Sequence, residues 1–89
     1  MCRIGQVINY YEKIGITIVA VSAGLAVGDT IKIYKDGEEV LTQKIDRIVL
    51  DRQNIPFAKP GDMIGLLLDV SKKIQKGSEV YREGVLGVR

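Results

Sequence analysis

Few side chains in this 89-residue chain are equipped for covalent or proton-transfer chemistry. Histidine is absent, which removes the side chain most used for proton transfer near neutral pH and the commonest metal ligand. The one cysteine is Cys2, so neither an intramolecular disulfide nor a cysteine-based zinc site can form. Without histidine, a nucleophilic serine such as Ser22 or Ser71 would need a lysine or carboxylate as its base, and both serines sit in turn-like contexts. The carboxylate pairs Asp36 with Glu38 and Asp62 with Asp69 have the residue types for acid–base work, but they lie in or beside predicted turns. The expectation is a chain that is not an enzyme, that holds no cofactor and no metal, and that acts by binding.

Two groups of residues are candidates for that binding. Lys44, Arg47 and Arg52 fall on a long predicted strand and its exit, and Lys59 on the loop that follows. Gathered at one end of the fold they would contact phosphates or stack on bases. The plainer alternative is a solvated strand face, with Asp46 and Asp51 as local partners. Lys72, Lys73 and Lys76 make a second basic group near a turn. Ile55, Pro56 and Phe57 lie on the same long loop as Lys59 and gain little by facing water, which makes them candidates for a protein-docking surface. Tyr10 and Tyr11 are adjacent, so on a strand they face opposite sides and one points outward.

The elements that must position these residues are strands. The apolar share of 46% and charged share of 27% are those of a globular domain, and 89 residues make one domain. Thirteen basic against eleven acidic residues give a net charge of +2, too small to decide for or against a polyanion partner. Period-2 patterning predicts strands over Arg3 to Tyr11, Ile14 to Val21, Thr30 to Tyr34, Glu39 to Leu50, Met63 to Leu68 and Glu79 to Tyr81. Asp36-Gly37 is the strongest short hairpin signal, because a type I′ turn needs positive φ at both centres. Within Glu39 to Leu50 the apolar positions change phase, and a bulge near Asp46-Arg47 would return Leu41, Ile45, Ile48 and Leu50 to one core. Met63 to Leu68 is almost continuously apolar and is expected to be the most buried strand. Residues 70–75 have room for one helical turn at most, and 82–89 read as a tail or a further strand. Six short strands predict an all-β closed barrel with its core over about 4–81, which removes open sheet edges. The uncharged run from Ile14 to Gly28 is too short to span a bilayer and its β-branched centre suits a buried strand better than a signal segment, so the expected location is cytoplasmic.

One turn device occurs three times. Val27-Gly28-Asp29, Pro60-Gly61-Asp62 and Lys76-Gly77-Ser78 each place glycine and a small polar residue just before a strand. In order and spacing, Leu25 to Ile33, Ala58 to Gly65 and Gln75 to Val80 resemble three segments of the second domain of translation elongation factors, a likeness that runs over residues 4 to 81. The resemblance implies a six-stranded closed Greek-key barrel of the translation-protein domain 2 type, like that of small free-standing elongation-factor-like proteins. Similar barrels also occur as domains appended to collagenase-like peptidases that act in RNA modification. The chain lacks the Gly-x-x-x-x-Gly-Lys-Ser/Thr phosphate loop, so no nucleotide is expected.

The same likeness puts Arg52 where elongation factors that carry aminoacyl-tRNA have a basic residue near the acceptor end, although Asp51 beside it would repel a phosphate. The function implied is a non-catalytic module associated with tRNA, rRNA or the ribosome, with Arg47, Arg52, Lys59 and Lys44 as its nucleic-acid-binding residues. The alternative is a protein–protein adaptor docking on a larger enzyme or factor through Ile55, Pro56 and Phe57. Neither reading involves a membrane.

Overall fold

The computed structural model describes residues 2–68 and 74–83. Ten strands are found among them: β1 (Cys2–Tyr11), β2 (Ile16–Val21), β3 (Leu25–Ala26), β4 (Thr30–Lys35), β5 (Glu38–Lys44), β6 (Ile48–Leu50), β7 (Gln53–Ile55), β8 (Phe57–Ala58), β9 (Met63–Leu67) and β10 (Glu79–Arg82). Eight of them form one curved sheet in the order β5-β4-β10-β1-β2-β9-β6-β7, and β3 pairs with β8 in a separate two-stranded ribbon. Every pairing is antiparallel. The inward side chains alternate along the strands, so Ile4 and Val7 of β1, Val19 and Val21 of β2, Ile31 and Ile33 of β4, Ile64 and Leu66 of β9 and Val80 of β10 fill a single core.

The expected all-β class holds, but the closed six-stranded barrel does not. The predicted strand from Glu39 to Leu50 is two strands, and the phase change marks a break instead of a bulge. Residues 45–47 leave the ladder because the Ile45 N–H donates to the Asp29 carbonyl and the Ile45 carbonyl accepts from Gly28 N–H, both at 2.8 Å. The chain then crosses to the other end of the sheet, where β6 pairs with β9 on one side and β7 on the other. β5 and β7 are left as edges. Where a barrel would close, the Gln43 side-chain amide donates to the Leu67 carbonyl at 3.2 Å. Ile45 and Ile48 are both buried, so the break achieves what the bulge was expected to achieve. The loop predicted after Leu50 also holds order of its own, as β7 and β8.

The three glycine turns have the local chemistry expected of them. Gly28, Gly61 and Gly77 all have positive φ. In each turn the next residue's N–H donates to the carbonyl three residues back: Asp29 to Ala26, Asp62 to Lys59, Ser78 to Gln75. The Asp29 and Asp62 carboxylates close the turn by accepting the Ala26 and Lys59 N–H at 2.9 Å, whereas the Ser78 hydroxyl donates to the Gln75 carbonyl at 2.6 Å. Asp36-Gly37 turns β4 into β5 with φ of 53° and 83°. The one helical turn allowed for residues 70–75 and the tail beyond Glu83 lie largely outside the described residues.

The β6–β7 hairpin carries an unusual turn. Leu50 pairs with Gln53, so Asp51 and Arg52 are its two central residues, with φ of 52° and 67°. Left-handed backbone costs a side-chain-bearing residue about 1 kcal/mol or more, and glycine avoids that cost. Arg52→Gly is therefore expected to stabilise the fold by up to about 1 kcal/mol. Urea denaturation checks this, and a loss of stability would show that the Arg52 side chain supports the hairpin.

Candidate docking face

Lys44, Arg47, Arg52 and Lys59 are exposed and lie on different elements, Lys76 is exposed too, and Lys72 and Lys73 lie outside the described residues. Lys44 ends β5, next to Thr30 of β4. Arg47 stands just before β6 and Arg52 at the tip of the β6–β7 hairpin, so the whole length of β6, about 10 Å, separates them. Lys59 follows β8, and its N–H is taken by the Asp62 carboxylate. The hairpin geometry thus sets Arg52 at one end of β6 and Arg47 at the other.

The apolar candidates are divided as well. Ile55 is half-buried and packs against the core. Pro56 and Phe57 are exposed, and they join Val27 through the Val27 N–H to Pro56 carbonyl bond of 3.0 Å. The Phe57 ring lies over Gly24, where a β-carbon would come within 2.8 Å of Cζ. This is a small apolar patch on the β3–β8 ribbon.

A larger apolar surface lies on the outward side of β2 and β9. The inward positions of β2 are Thr17, Val19 and Val21, which leaves Ile16, Ile18 and Ala20 outward and only half-buried. On β9, Ile64 and Leu66 point inward, which leaves Met63, Gly65 and Leu67 outward. Register places these residues side by side: Ile16 with Leu67, Ile18 with Gly65, Ala20 with Met63. Val49 of β6 pairs with Gly65, and Tyr11 of β1 with Ile16. Gly65 shows how the face is built. A β-carbon there would meet Ile16 Cγ2 at 3.3 Å, Ile18 Cδ1 at 3.8 Å and Val49 Cβ at 3.9 Å. Three branched side chains from the two flanking strands, β2 and β6, therefore close over one glycine. Around them Met63 is 58% exposed, Leu67 40% and Tyr11 49%, and the adjoining β1–β2 turn holds Ile14 at 61%.

An antiparallel sheet with one wet face normally reads apolar-in and polar-out. The same outward face obeys that rule at its other end, with Lys32 and Tyr34 on β4 and Thr42 and Lys44 on β5. The β2–β9 face breaks it at every outward position. Sequence reasoning missed this face because continuous apolarity was read only as depth of burial. The available signal was that a strand apolar at both parities needs a cover on both sides.

On the far side of β1 the outward surface is polar and contains a small hollow. It has a volume of about 280 Å³ and is lined by Tyr34, Gly37, Glu79 and Tyr81. The tyrosine rings meet edge to face, with centroids 5.5 Å apart at 84°. The Tyr81 hydroxyl donates to Glu79 Oε1 at 2.9 Å. That bond to a carboxylate, assisted by desolvation, raises the Tyr81 pKa above the ordinary tyrosine value, against a smaller lowering by Arg3. Among the described residues no three potential metal-ligating side chains come together.

No family profile matches the chain. A curated relative, an uncharacterized protease of Methanocaldococcus jannaschii, is 26% identical over 79 residues, which are 89% of this chain but only 19% of that protein. The chain thus spans about a fifth of the curated relative it matches. Among solved structures, it resembles the C-terminal domain of a Geobacillus thermoleovorans protein assigned to the U32 peptidases. The TM-score is 0.82 at 19% identity, with 92% of each chain covered. The selenomethionine form of the same domain gives 0.81 at 18% identity, covering 91% of this chain and 99% of that one.

The fold is therefore that of a U32 peptidase C-terminal domain, and this corrects the likeness to an elongation-factor second domain. The RNA-binding assignment made on that likeness falls with it. The physical reason lies in the motifs that carried it. Glycine at positive φ followed by a side chain that bonds the backbone three residues back is what a tight turn into a strand requires. Such turns recur wherever short strands follow one another and do not distinguish one β-rich family from another.

The raised Tyr81 pKa has a consequence for stability. The folded chain holds the phenolic proton more tightly than the unfolded chain does, so this contribution is intact below pH 10 and is lost as pH rises through the folded-state value. Tyr81→Phe should flatten the fall in stability above pH 10, as followed by denaturant unfolding across a pH series. An unchanged slope would mean that the hydroxyl–carboxylate bond does not form in solution.

Proposed function

We propose that the chain is a non-catalytic accessory domain that docks through the outward face of β2 and β9 on a larger peptidase-type protein. The observation that carries this reading is the run of apolar outward positions, Ile16, Ile18, Met63 and Leu67, closing around Gly65. Exposed contiguous apolar surface marks interaction sites. The partner class is supported by the two kinds of likeness. The curated relative is a protease several times longer than this chain, and the fold neighbour is the C-terminal domain of a larger protein. The absence of histidine from the sequence supports a binding role over a hydrolytic one.

The apolar corner of Val27, Pro56 and Phe57 offers a second, smaller contact on the same reading. No helix among the described residues is long and apolar enough to cross a membrane.

The test is affinity capture from the source cells, with the wild-type chain beside a Met63→Lys/Leu67→Lys double variant. The wild-type chain should retain a larger peptidase-type protein, identified by mass spectrometry, and the double variant should lose it. Met63→Lys alone, at the most exposed of these positions, should change folding stability by no more than about 0.5 kcal/mol. Retention of the same partner by a folded double variant would reject the face.

A further inference from the structure

We propose that the hollow between Tyr34 and Tyr81 is a subsite for one organic cation, the arginine or lysine side chain of a protein partner, with Glu79 as its counter-charge. Its volume of about 280 Å³ falls just under the range of about 300–1,000 Å³ that holds drug-sized ligands, so it suits a single side chain. Two aromatic rings set edge to face offer a ring face to a cation.

Glu79 supplies the second observation. The carboxylate is half-buried, and Oε1 accepts the Tyr81 hydroxyl. It has no cation of its own, since the one ion pair among the described residues joins Arg82 to Asp29. None of the neighbouring cations lies within ion-pair distance of Glu79. Lys35 donates to the Lys76 carbonyl at 3.5 Å. Arg3 and Lys32 stand opposite Tyr81 on the strands to either side. In Glu79's own row the cross-strand neighbours are neutral, Gln6 on β1 and Tyr34 on β4. A partly desolvated carboxylate beside two aromatic rings, with no counter-ion among the described residues, is arranged for a cation from outside. The same row continues through Gln6 to Ala20 and Met63, so the subsite and the apolar face belong to one outward surface. Cation binding at the subsite does not depend on the docking role proposed for that face.

The experiment is an NMR titration of the whole chain with N-acetyl-arginine amide, reading the ring signals of Tyr34 and Tyr81. Saturable shifts at millimolar concentrations are expected. N-acetyl-citrulline amide, similar in shape but uncharged, should bind about tenfold more weakly, and Glu79→Gln should lose a similar factor. Tyr34→Leu, which removes one ring and leaves the carboxylate, should also weaken binding. Met63→Lys should bind the probe as the wild type does, which separates failure of the subsite from failure of the docking face. Equal affinity for the charged and uncharged probes would overturn the proposal. So would full affinity in Glu79→Gln, or stronger shifts of the same tyrosines by N-acetyl-glutamate amide.

Discussion

A β-strand whose side chains are apolar on both faces has to be covered twice, and the structure depends on how that requirement is met. β2 and β9 meet it once. Their inward residues, Val19, Val21, Ile64 and Leu66, are sealed in the core. Their outward residues lie against one another across the ladder, half-buried on β2 and exposed at Met63 and Leu67 of β9. Tight packing over Gly65 reduces the apolar area in contact with water, but Met63 and Leu67 remain open at either end of the row. Burying such surface contributes about 25 cal/mol per Å², so a partner that covers it gains from every residue of the row.

The remainder of the fold fixes that face in place. β2 and β9 are central strands, flanked by β1 on one side and β6 on the other, so the face is supported by ladders at both borders. The sheet curls without closing because Ile45 gives both of its backbone groups to Gly28 and Asp29. A closed ladder would need the strand to run on through 45–47. The chain instead spends β6 on β9 and β7, and a side-chain bond from Gln43 reaches across the seam. Compact glycine turns at Gly28, Gly61 and Gly77 let ten strands fit in so short a chain.

Much of this was legible in the sequence. Alternation located β1, β2, β4, β9 and β10 within a residue or two, and the Asp36-Gly37 turn was read with its backbone signs. The phase change after Leu41 was also visible, but period-2 reasoning cannot tell a bulge from a strand break, because both restore Ile45 and Ile48 to the core. β7 and β8 were missed because strands of two or three residues carry no periodicity to detect. The family likeness was misread for a related reason, since tight turns impose the same residues in unlike proteins. The docking face was present in the sequence as apolarity at both parities. Hydropathy alone does not distinguish a strand buried on both sides from one that awaits a second body.

Site-specific photo-crosslinking in the source cells tests that central point most directly. A photoreactive phenylalanine analogue would replace Leu67 in the apolar face or, as a control, Thr42 at the polar end of the same outward surface. The analogue at position 67 is expected to form one adduct with a larger peptidase-type protein, and the analogue at position 42 to form none. Adducts from position 42 alone, or from position 67 only to a second copy of the chain, would contradict docking through this face.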